Sequence, residues 1–390
     1  MSYFLLVAGY LLLNYFIITE SRSLLDLAGI HHSSLRRTLL GIYLAAGILP
    51  IAGAFLPDSS LKFRLQALGN LWLGILTYGG MLLLVLVIAN AVMARRKQVM
   101  SSGAARIVLC AVLAGTVGIN IYGSFHAQDV KTVSYEVQVD KAAGVKDLKI
   151  VLLADLHMSV NTHIETIRRM VAETNAENPD VILIAGDFFT SSYSGLQNPQ
   201  EYEEALSGLK AAYGVYGVYG NHDVAETLFG GFPVSPIEDA VRPQEMVDFM
   251  EKSGIQMLMD QTITLGDTGI QVAGRIDGER AGDGTDHRLS AEELLQADDA
   301  SRPLIVLEHE PWEFSKLSAG GADLVLCGHT HAGQIFPGSL IVPFFNENGY
   351  GMKNTSGITS IVTAGVGYYG PPLRVGTDSE ITVVQVHFKN

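Results

Sequence analysis

The N-terminal third of the chain contains four uncharged apolar stretches, which run over residues 2–19, 38–57, 67–93 and 105–124. None of them has an Asp, Glu, Lys, Arg or His away from its ends. In lipid a backbone must satisfy its own hydrogen bonds, and a helix of about 20 apolar residues crosses the hydrocarbon core. The stretches therefore predict an all-α, four-helix transmembrane domain over residues 1–125.

The short loops between these stretches differ in their number of basic residues, and loops rich in Lys and Arg are usually cytoplasmic. The first loop holds Arg22, Arg36 and Arg37, the third holds Arg95, Arg96, Lys97 and Arg106, and the second holds Lys62 and Arg64. Seven basic residues against two predict that the first and third loops face the cytoplasm. The residues after 125 are then expected outside the cytoplasm, on a multi-pass protein of the cell membrane.

A transporter is the first alternative for a chain with several spans. Coupled transporters usually carry ionisable groups at mid-membrane, and these stretches have none. Their main polar residues are Asn70, Asn90 and Asn120, which we interpret as helix-packing contacts. The pattern therefore favours an anchor over a transport machine.

Charge and cysteine content exclude further classes of protein. The chain has 26 Lys and Arg against 40 Asp and Glu, a formal net charge of −14. A nucleic-acid partner is not expected, because binding a phosphate backbone needs a basic surface. Cys110 lies in an apolar stretch and Cys327 lies far from it along the chain, so we expect no disulfide between them.

Residues 126–390 alternate apolar runs with amphipathic segments. The runs "LKIVLLAD", "DVILIAGD", "YGVYGVYGNHD", "PLIVLEHE" and "ADLVLCGHTH" predict buried strands. The segments "IETIRRMVAETNAENP" and "EEALSGLKAA" between them predict helices. Such alternation is typical of an α/β domain. Residues 275–300 are acidic and Gly-rich, and they predict an exposed loop that leads into a short helix.

Each of the five buried runs ends in polar residues with metal-binding side chains. In chain order these are Asp155 and His157, Asp187, Asn221 with His222 and Asp223, His309, and His329 with His331. Open α/β sheets place their sites at the carboxyl ends of strands. Imidazole and carboxylate together suit zinc, iron or manganese. Any one motif alone could be a turn or a core histidine, but the ordered set predicts two metals that clamp a phosphoryl group.

The ordered motifs resemble those of the calcineurin-like metallophosphoesterases, which read D-x-H, G-D, G-N-H-D/E, H and G-H-x-H. The resemblance covers residues 148–388, and every metal ligand of the family motifs is present in this sequence. The runs "GHTHAGQ", "GVGYYGPPLRVG" and "SEITVV" are similar to a bacterial membrane-associated branch. That branch includes cell-wall phosphodiesterases and hydrolases of UDP-diacylglucosamine. The resemblance implies a metallophosphoesterase domain over residues 126–390, folded as a four-layer α/β/β/α sandwich.

The resemblance also implies roles for single residues. The first metal would be held by Asp155, His157 and His331, the second by Asn221, His309 and His329, and Asp187 would bridge them. His222 resembles the catalytic histidine, and Asp223 would orient its imidazole. Arg374 in "PPLRVG" either contacts the substrate phosphate or has a structural or solvent-exposed role.

Two functions from different classes follow. The first is a hydrolase for phosphomonoesters or phosphodiesters, with two divalent ions (manganese, zinc or iron) and a hydroxide between them that attacks phosphorus. Its substrates are expected to be lipid-linked or part of the cell envelope, and membrane lipids are expected partners. The second is a membrane sensor or scaffold that binds metal or phosphate without turnover. A missing ligand would favour the second function, and none is missing.

Overall fold

The computed structural model describes residues 2–190, 193–229, 232–233, 240–284, 287–296 and 299–389. Its helices are α1 (Ser2–Leu27), α2 (Ser33–Phe55), α3 (Ser60–Arg95), α4 (Ser102–His126), α5 (Ile164–Ala176), α6 (Pro199–Leu206), α7 (Gln244–Lys252), α8 (Ala291–Leu295), α9 (Phe314–Ala319) and α10 (Gly338–Ile341).

The strands are β1 (Val130–Ala142), β2 (Asp147–Leu153), β3 (Val181–Ala185), β4 (Val215–Val218), β5 (Leu228–Phe229), β6 (Phe232–Pro233), β7 (Gln256–Met257), β8 (Gln261–Thr264), β9 (Gln271–Gly274), β10 (Leu304–Leu307), β11 (Leu324–Cys327), β12 (Gly351–Thr355), β13 (Ile358–Val362) and β14 (Ser379–Lys389).

The chain divides into two compact units. The first comprises Met1–Phe125, Leu228–Val234 and Gly370–Leu373, and the second comprises the other residues from His126 to Asn390. The long segment of the first unit ends at Phe125, and the division into domains at residues 125 and 126 stays a prediction. Cys110 and Cys327 are both free thiols.

The first unit consists mainly of long apolar helices. Among the described residues, three are long and apolar enough to cross a membrane, at Ser33–Gly53 in α2, Ser60–Arg95 in α3 and Ser102–His126 in α4. Three of the four expected spans are therefore supported. The first expected span lies in α1, whose 26 residues are helical, and its crossing of the membrane stays a prediction.

The second unit contains two six-stranded mixed sheets. The order of the first sheet is β1-β14-β2-β3-β4-β7, and that of the second is β12-β13-β11-β10-β9-β8. Strands β2, β3, β4 and β7 run parallel, as do β13, β11, β10 and β9. Because parallel strands end at the same edge of a sheet, the segments that follow them are brought together.

Successive side chains of a strand point to opposite faces of its sheet, and both faces of each sheet are buried. On β2, Ile150 and Leu152 belong to a core of side chains from both sheets, whereas Val151 and Leu153 belong to a core shared with helices α5, α6 and α7. On the second sheet, residues such as Val306 pack against helices α8 and α9. The layers are therefore helix, sheet, sheet and helix, which confirms the α/β/β/α sandwich.

The acidic, Gly-rich segment 275–300 differs from its prediction. The short helix is present as α8, but much of the preceding segment is buried, including Arg275, Asp277 and Arg280. Arg275 Nη1 donates to Glu308 Oε2 at 2.8 Å, so its charge is paired inside the protein. The expectation of an exposed loop was wrong here because charged side chains of this segment pair with buried partners. Residues 285–286 and 297–298 lie outside the described residues.

Candidate metal centre

The carboxyl ends of five strands carry the seven predicted ligands into one cluster. Strand β2 leads to Asp155 and His157, β3 to Asp187, β4 to Asn221, β10 to His309, and β11 to His329 and His331. Two hydrogen bonds join the edges of the two sheets. The backbone N–H of His329 donates to Asp155 Oδ1 at 3.1 Å, and His309 Nδ1 lies 2.7 Å from the carbonyl of Ala185.

One group of ligand atoms consists of Asp155, His157 and His331, all buried and within 4.8 Å of one another. The Nε2 atoms of His157 and His331 lie 2.9 Å apart, and His331 Nε2 lies 3.7 Å from Asp155 Oδ1. Three ligand atoms this close together could hold one metal ion. These are the residues expected at the first metal.

A second group adjoins the first. Asp155, Asp187 and His309 offer ligand atoms within 4.8 Å of one another. His309 Nε2 lies 3.1 Å from Asn221 Oδ1 and 3.2 Å from His329 Nδ1. The residues expected at the second metal therefore surround one nitrogen of His309.

Asp187 contacts both groups. Its Oδ2 lies 3.5 Å from His157 Nε2 and 3.2 Å from His309 Nε2, so one carboxylate oxygen reaches a histidine of each group. Its Oδ1 accepts the backbone N–H of His222 at 2.9 Å. This position suits the bridging role that the resemblance implies.

The pKa values in the cluster show which side chains are ready to bind a metal at neutral pH. Burial lowers the pKa of His157 to about 3 and that of His329 to about 3, and it also lowers the pKa of His331 well below its usual value. Burial alone would raise the pKa of Asp187, but the neighbouring His309, His222 and His157 together hold that pKa well below its usual value. His157, His329 and His331 are therefore neutral and Asp187 is ionised at neutral pH, so they offer free lone pairs. The donor set therefore fits divalent ions of the zinc and manganese type.

Two other predicted ligands differ, because burial raises the pKa of Asp155 to about 7, and Asp187 raises the pKa of His309 well above its usual value against the effect of burial. A metal that binds here has to displace protons from these two side chains.

Several ligands have left-handed backbone conformations. The φ angles are 53° at Asp155, 44° at His157, 55° at Asp187, 74° at His329 and 51° at His331. Asp and His tolerate this region better than most residues, but each such position still carries strain. Strained conformations persist where surrounding contacts fix them, and they cluster at functional sites.

Glycines leave room for the carboxylates. A Cβ at Gly220 would lie 2.3 Å from Asp187 Oδ1, and a Cβ at Gly328 would lie 2.7 Å from Asp155 Oδ2. Real atoms do not approach so closely, so either carboxylate would have to move. The glycines of "GNHD" and "GHTH" thus have a packing reason to precede the ligands.

His222 lies beside the cluster and contacts Tyr369 and Glu226. Its ring stacks on Tyr369 with a centroid distance of 4.4 Å and an angle of 21°. Its Nδ1 lies 3.4 Å from Oε2 of Glu226, a fully buried carboxylate that also pairs with Arg280. The histidine is therefore held on one ring face and at one nitrogen.

Asp223 lies in the core of the site and binds two backbone N–H groups. Its carboxylate accepts the backbone N–H of Phe189 at 2.9 Å and that of Gly220 at 2.8 Å. These bonds fix the loop after β4 to the loop after β3. The carboxylate in contact with the imidazole of His222 is Glu226, and an effect of Asp223 on that ring stays a prediction.

Arg374 is fully buried, and its contacts favour the structural alternative over substrate binding. Nη1 donates to the carbonyl of His331 at 3.2 Å, and Nη2 donates to the carbonyls of Ala364 at 2.6 Å and Gly367 at 2.7 Å. Nη2 also lies 3.3 Å from His331 Nδ1. The guanidinium thus holds the loop that carries His331.

The sequence analysis did not predict two further contacts in the site. Glu226 follows His222 by four residues, a spacing that offered a weak signal for their contact. Glu279 accepts a hydrogen bond from Asn221 Nδ2 at 3.2 Å. This bond orients the amide so that Oδ1 faces His309. Glu279 and Arg280 reach the site from a distant segment, and no local pattern marks them.

Comparisons with known proteins agree with this geometry. The family described as Calcineurin-like phosphoesterase matches residues 148–333. An uncharacterized metallophosphoesterase of Campylobacter jejuni is 30% identical over 275 residues, which cover 69% of this chain and 66% of that protein. One of Helicobacter pylori is 32% identical over 247 residues, with 63% and 61% covered. A transmembrane protein with metallophosphoesterase domain of Danio rerio is 29% identical over 302 residues, with 73% and 64% covered. The matches thus span somewhat under two thirds of each relative's length.

Proposed function

Residues 148–333 form a calcineurin-like metallophosphoesterase domain, and on that premise we propose that the protein is a membrane-held, metal-dependent hydrolase of phosphate esters. One observation carries the proposal. Two groups of buried ligands adjoin, and Asp187 contacts a histidine of each. Such paired sites suit phosphoryl transfer to water.

The residues present fit two divalent ions. Asp155, His157 and His331 would hold the first, Asn221, His309 and His329 would hold the second, and Asp187 would bridge them. Divalent ions supply Lewis acidity, which neutralises charge on the phosphoryl oxygens and lowers the pKa of water. Manganese, zinc and iron all match this donor set.

Side chains of the protein would protonate the oxygen of the leaving group. His222 has Nδ1 beside Glu226, so we assign Nε2 as the atom that delivers a proton to the departing alcohol. Tyr369 stacks on the ring and fixes its plane. The backbone N–H of His222 donates to Asp187, and this bond fixes the position of the histidine relative to the carboxylate that would bridge the metals.

The finer proposal concerns the substrate and its location. In the part of the chain that the structure describes, three helices could cross a membrane, and relatives are named transmembrane proteins. We assign a lipid-linked or cell-envelope phosphoester as substrate and an extracytoplasmic site, the latter from the distribution of basic loop residues.

The test uses the full chain, purified in detergent. Hydrolysis of bis-p-nitrophenyl phosphate and p-nitrophenyl phosphate is measured after EDTA treatment and after addition of manganese, zinc or magnesium. We expect EDTA to abolish turnover and manganese or zinc to restore it. A protein that binds two metals and hydrolyses neither ester under any condition would support the sensor function instead.

A further inference from the structure

The segment Phe336–Phe345 exposes large apolar side chains next to the metal centre. Phe336 is 41% exposed, Leu340 60%, Ile341 47%, Phe344 85% and Phe345 80%. No charged residue lies between His331 and Glu347. Single exposed apolar residues are normal on protein surfaces, but five within ten residues form a patch that marks an interaction site.

The patch is held in a defined conformation. It contains helix α10 and a 3-10 turn over Val342–Phe344. The backbone N–H of Phe336 donates to the carbonyl of Val375 at 2.8 Å, and Asn346 Nδ2 donates to the carbonyl of Val342 at 3.1 Å. The rings of Phe344 and Phe345 therefore project from a braced segment, which lowers the entropy cost of binding.

Short connections join the patch to the site. The side chain of Gln334 makes two hydrogen bonds to the backbone of Tyr369, at 2.9 and 2.8 Å. Tyr369 stacks on His222. A cavity of about 430 Å³ lies beside the patch, and its walls include Ala332, next to His331, and Val342 within the patch.

A lipid bilayer is the occupant that these features favour. Phe and Leu side chains on a short uncharged segment insert into the boundary between headgroups and acyl chains. Among the described residues, three helices of the same chain are long and apolar enough to cross a membrane, so a bilayer that holds them is tethered to the unit that carries the patch. Tethering raises the effective concentration, and a patch of this size then suffices for binding.

We propose that the segment Phe336–Phe345 inserts into the surface of the bilayer that holds the protein, and that lipid-borne phosphoesters reach the metal centre beside it. The insertion is argued from the exposed segment itself. The access of lipid-borne phosphoesters to the metal centre rests on the proposed phosphoesterase function.

The insertion is tested without any need for activity. In the full chain, Cys110→Ser leaves only the buried Cys327. Phe344→Cys is then labelled with nitrobenzoxadiazole and placed in nanodiscs with or without spin-labelled lipids. The matched control is Val241→Cys, because Val241 is also an exposed apolar side chain, 49% exposed, outside the patch.

We expect the label at position 344 to shift its emission to the blue and to be quenched at least twofold more by spin-labelled lipid than the label at position 241. Equal quenching at the two positions would overturn the proposal. A blue shift without lipid quenching would mean that protein covers the patch, and it would overturn the proposal as well.

A second experiment tests substrate access. The variant with both Phe344→Ser and Phe345→Ser is compared with the wild type in nanodiscs, on bis-p-nitrophenyl phosphate and on hexadecyl p-nitrophenyl phosphate. The two probes release the same leaving group. We expect unchanged turnover of the first probe and at least a tenfold loss on the second.

An equal effect on both probes would refute the role of the patch in substrate access. A wild type inactive on both probes would refute the phosphoesterase function, and the quenching result would still decide the insertion. The two proposals can therefore fail separately.

Discussion

Replacing Glu226 with glutamine is expected to slow hydrolysis while both metals stay bound. Glu226 is fully buried, with Oε2 3.4 Å from His222 Nδ1 and its other oxygen paired with Arg280. Glutamine keeps the shape of the side chain but removes the negative charge. That charge favours the protonated form of the His222 imidazole and fixes the orientation of its ring. Glu226 is not one of the assigned metal ligands, so metal content should not change.

The size of the effect follows from the contact. Hydrogen bonds to charged groups contribute about 1.5–3 kcal/mol, and 3.4 Å is long for such a bond. We therefore take the lower end, about 1.5 kcal/mol, which corresponds to about a tenfold loss in kcat. The loss should be larger for alkyl esters than for p-nitrophenyl esters, because poor leaving groups depend more on the proton from His222.

The assay compares kcat for p-nitrophenyl and alkyl phosphoesters in wild type, Glu226→Gln and the exposed control Glu204→Gln. Metal content is measured by mass spectrometry and folding by thermal unfolding. Equal slowing of all esters would refute the assigned role in proton delivery. Loss of metal in Glu226→Gln would show that Glu226 acts through the ligands instead.

Three other predictions follow from the same structure. Asp187→Ala should lose both metals, whereas His222→Ala should keep them and lose about 10²–10⁴-fold in rate, as measured by metal content and kcat; an empty site in His222→Ala would contradict the assignment. Arg275→Ala should lower the free energy of unfolding of the second unit by about 3 kcal/mol, because it leaves the buried Glu308 with only Arg288, at 4.0 Å, as a charged partner, whereas the exposed Arg302→Ala should change it little in denaturant titrations; similar losses in the two variants would contradict the argument. A C-terminal alkaline phosphatase fusion should be active and a C-terminal fluorescent protein dim, and the reverse pattern would overturn the extracytoplasmic placement.

Local patterns in the sequence were enough to locate the metal centre. A buried strand appears as a continuous apolar run, and its end appears as the first polar residue, so Asp155 and Asp187 could be placed without tertiary information. The parallel pairing of β2 with β3 then brings these ends together. The four layers followed from the same alternation of strands and helices together with the resemblance.

Contacts between distant segments could not be predicted in this way. Arg280 meets Glu226 only because a long, partly irregular segment returns to the site. The burial of Arg374 could not be predicted either, because arginine is usually exposed. Only the structure shows that backbone carbonyls accept the hydrogen bonds of its guanidinium group. The contact between Glu226 and His222 was missed for a similar reason. Adjacent residues on a turn point in different directions, and the acid four positions further on is the one beside the ring of His222.

The order of the first sheet has a consequence for how the protein is made. Strand β14 lies between β1 and β2, and it is the only neighbour of β1 among the described strands. Strand β1 is synthesised directly after α4, but it has to wait until Ser379–Lys389 has left the ribosome. At about 5–20 residues per second that delay is roughly 10–50 s. During this time β1, the first strand after α4 along the chain, has an unpaired edge. A chain truncated before β14 would keep that edge unpaired and prone to aggregation.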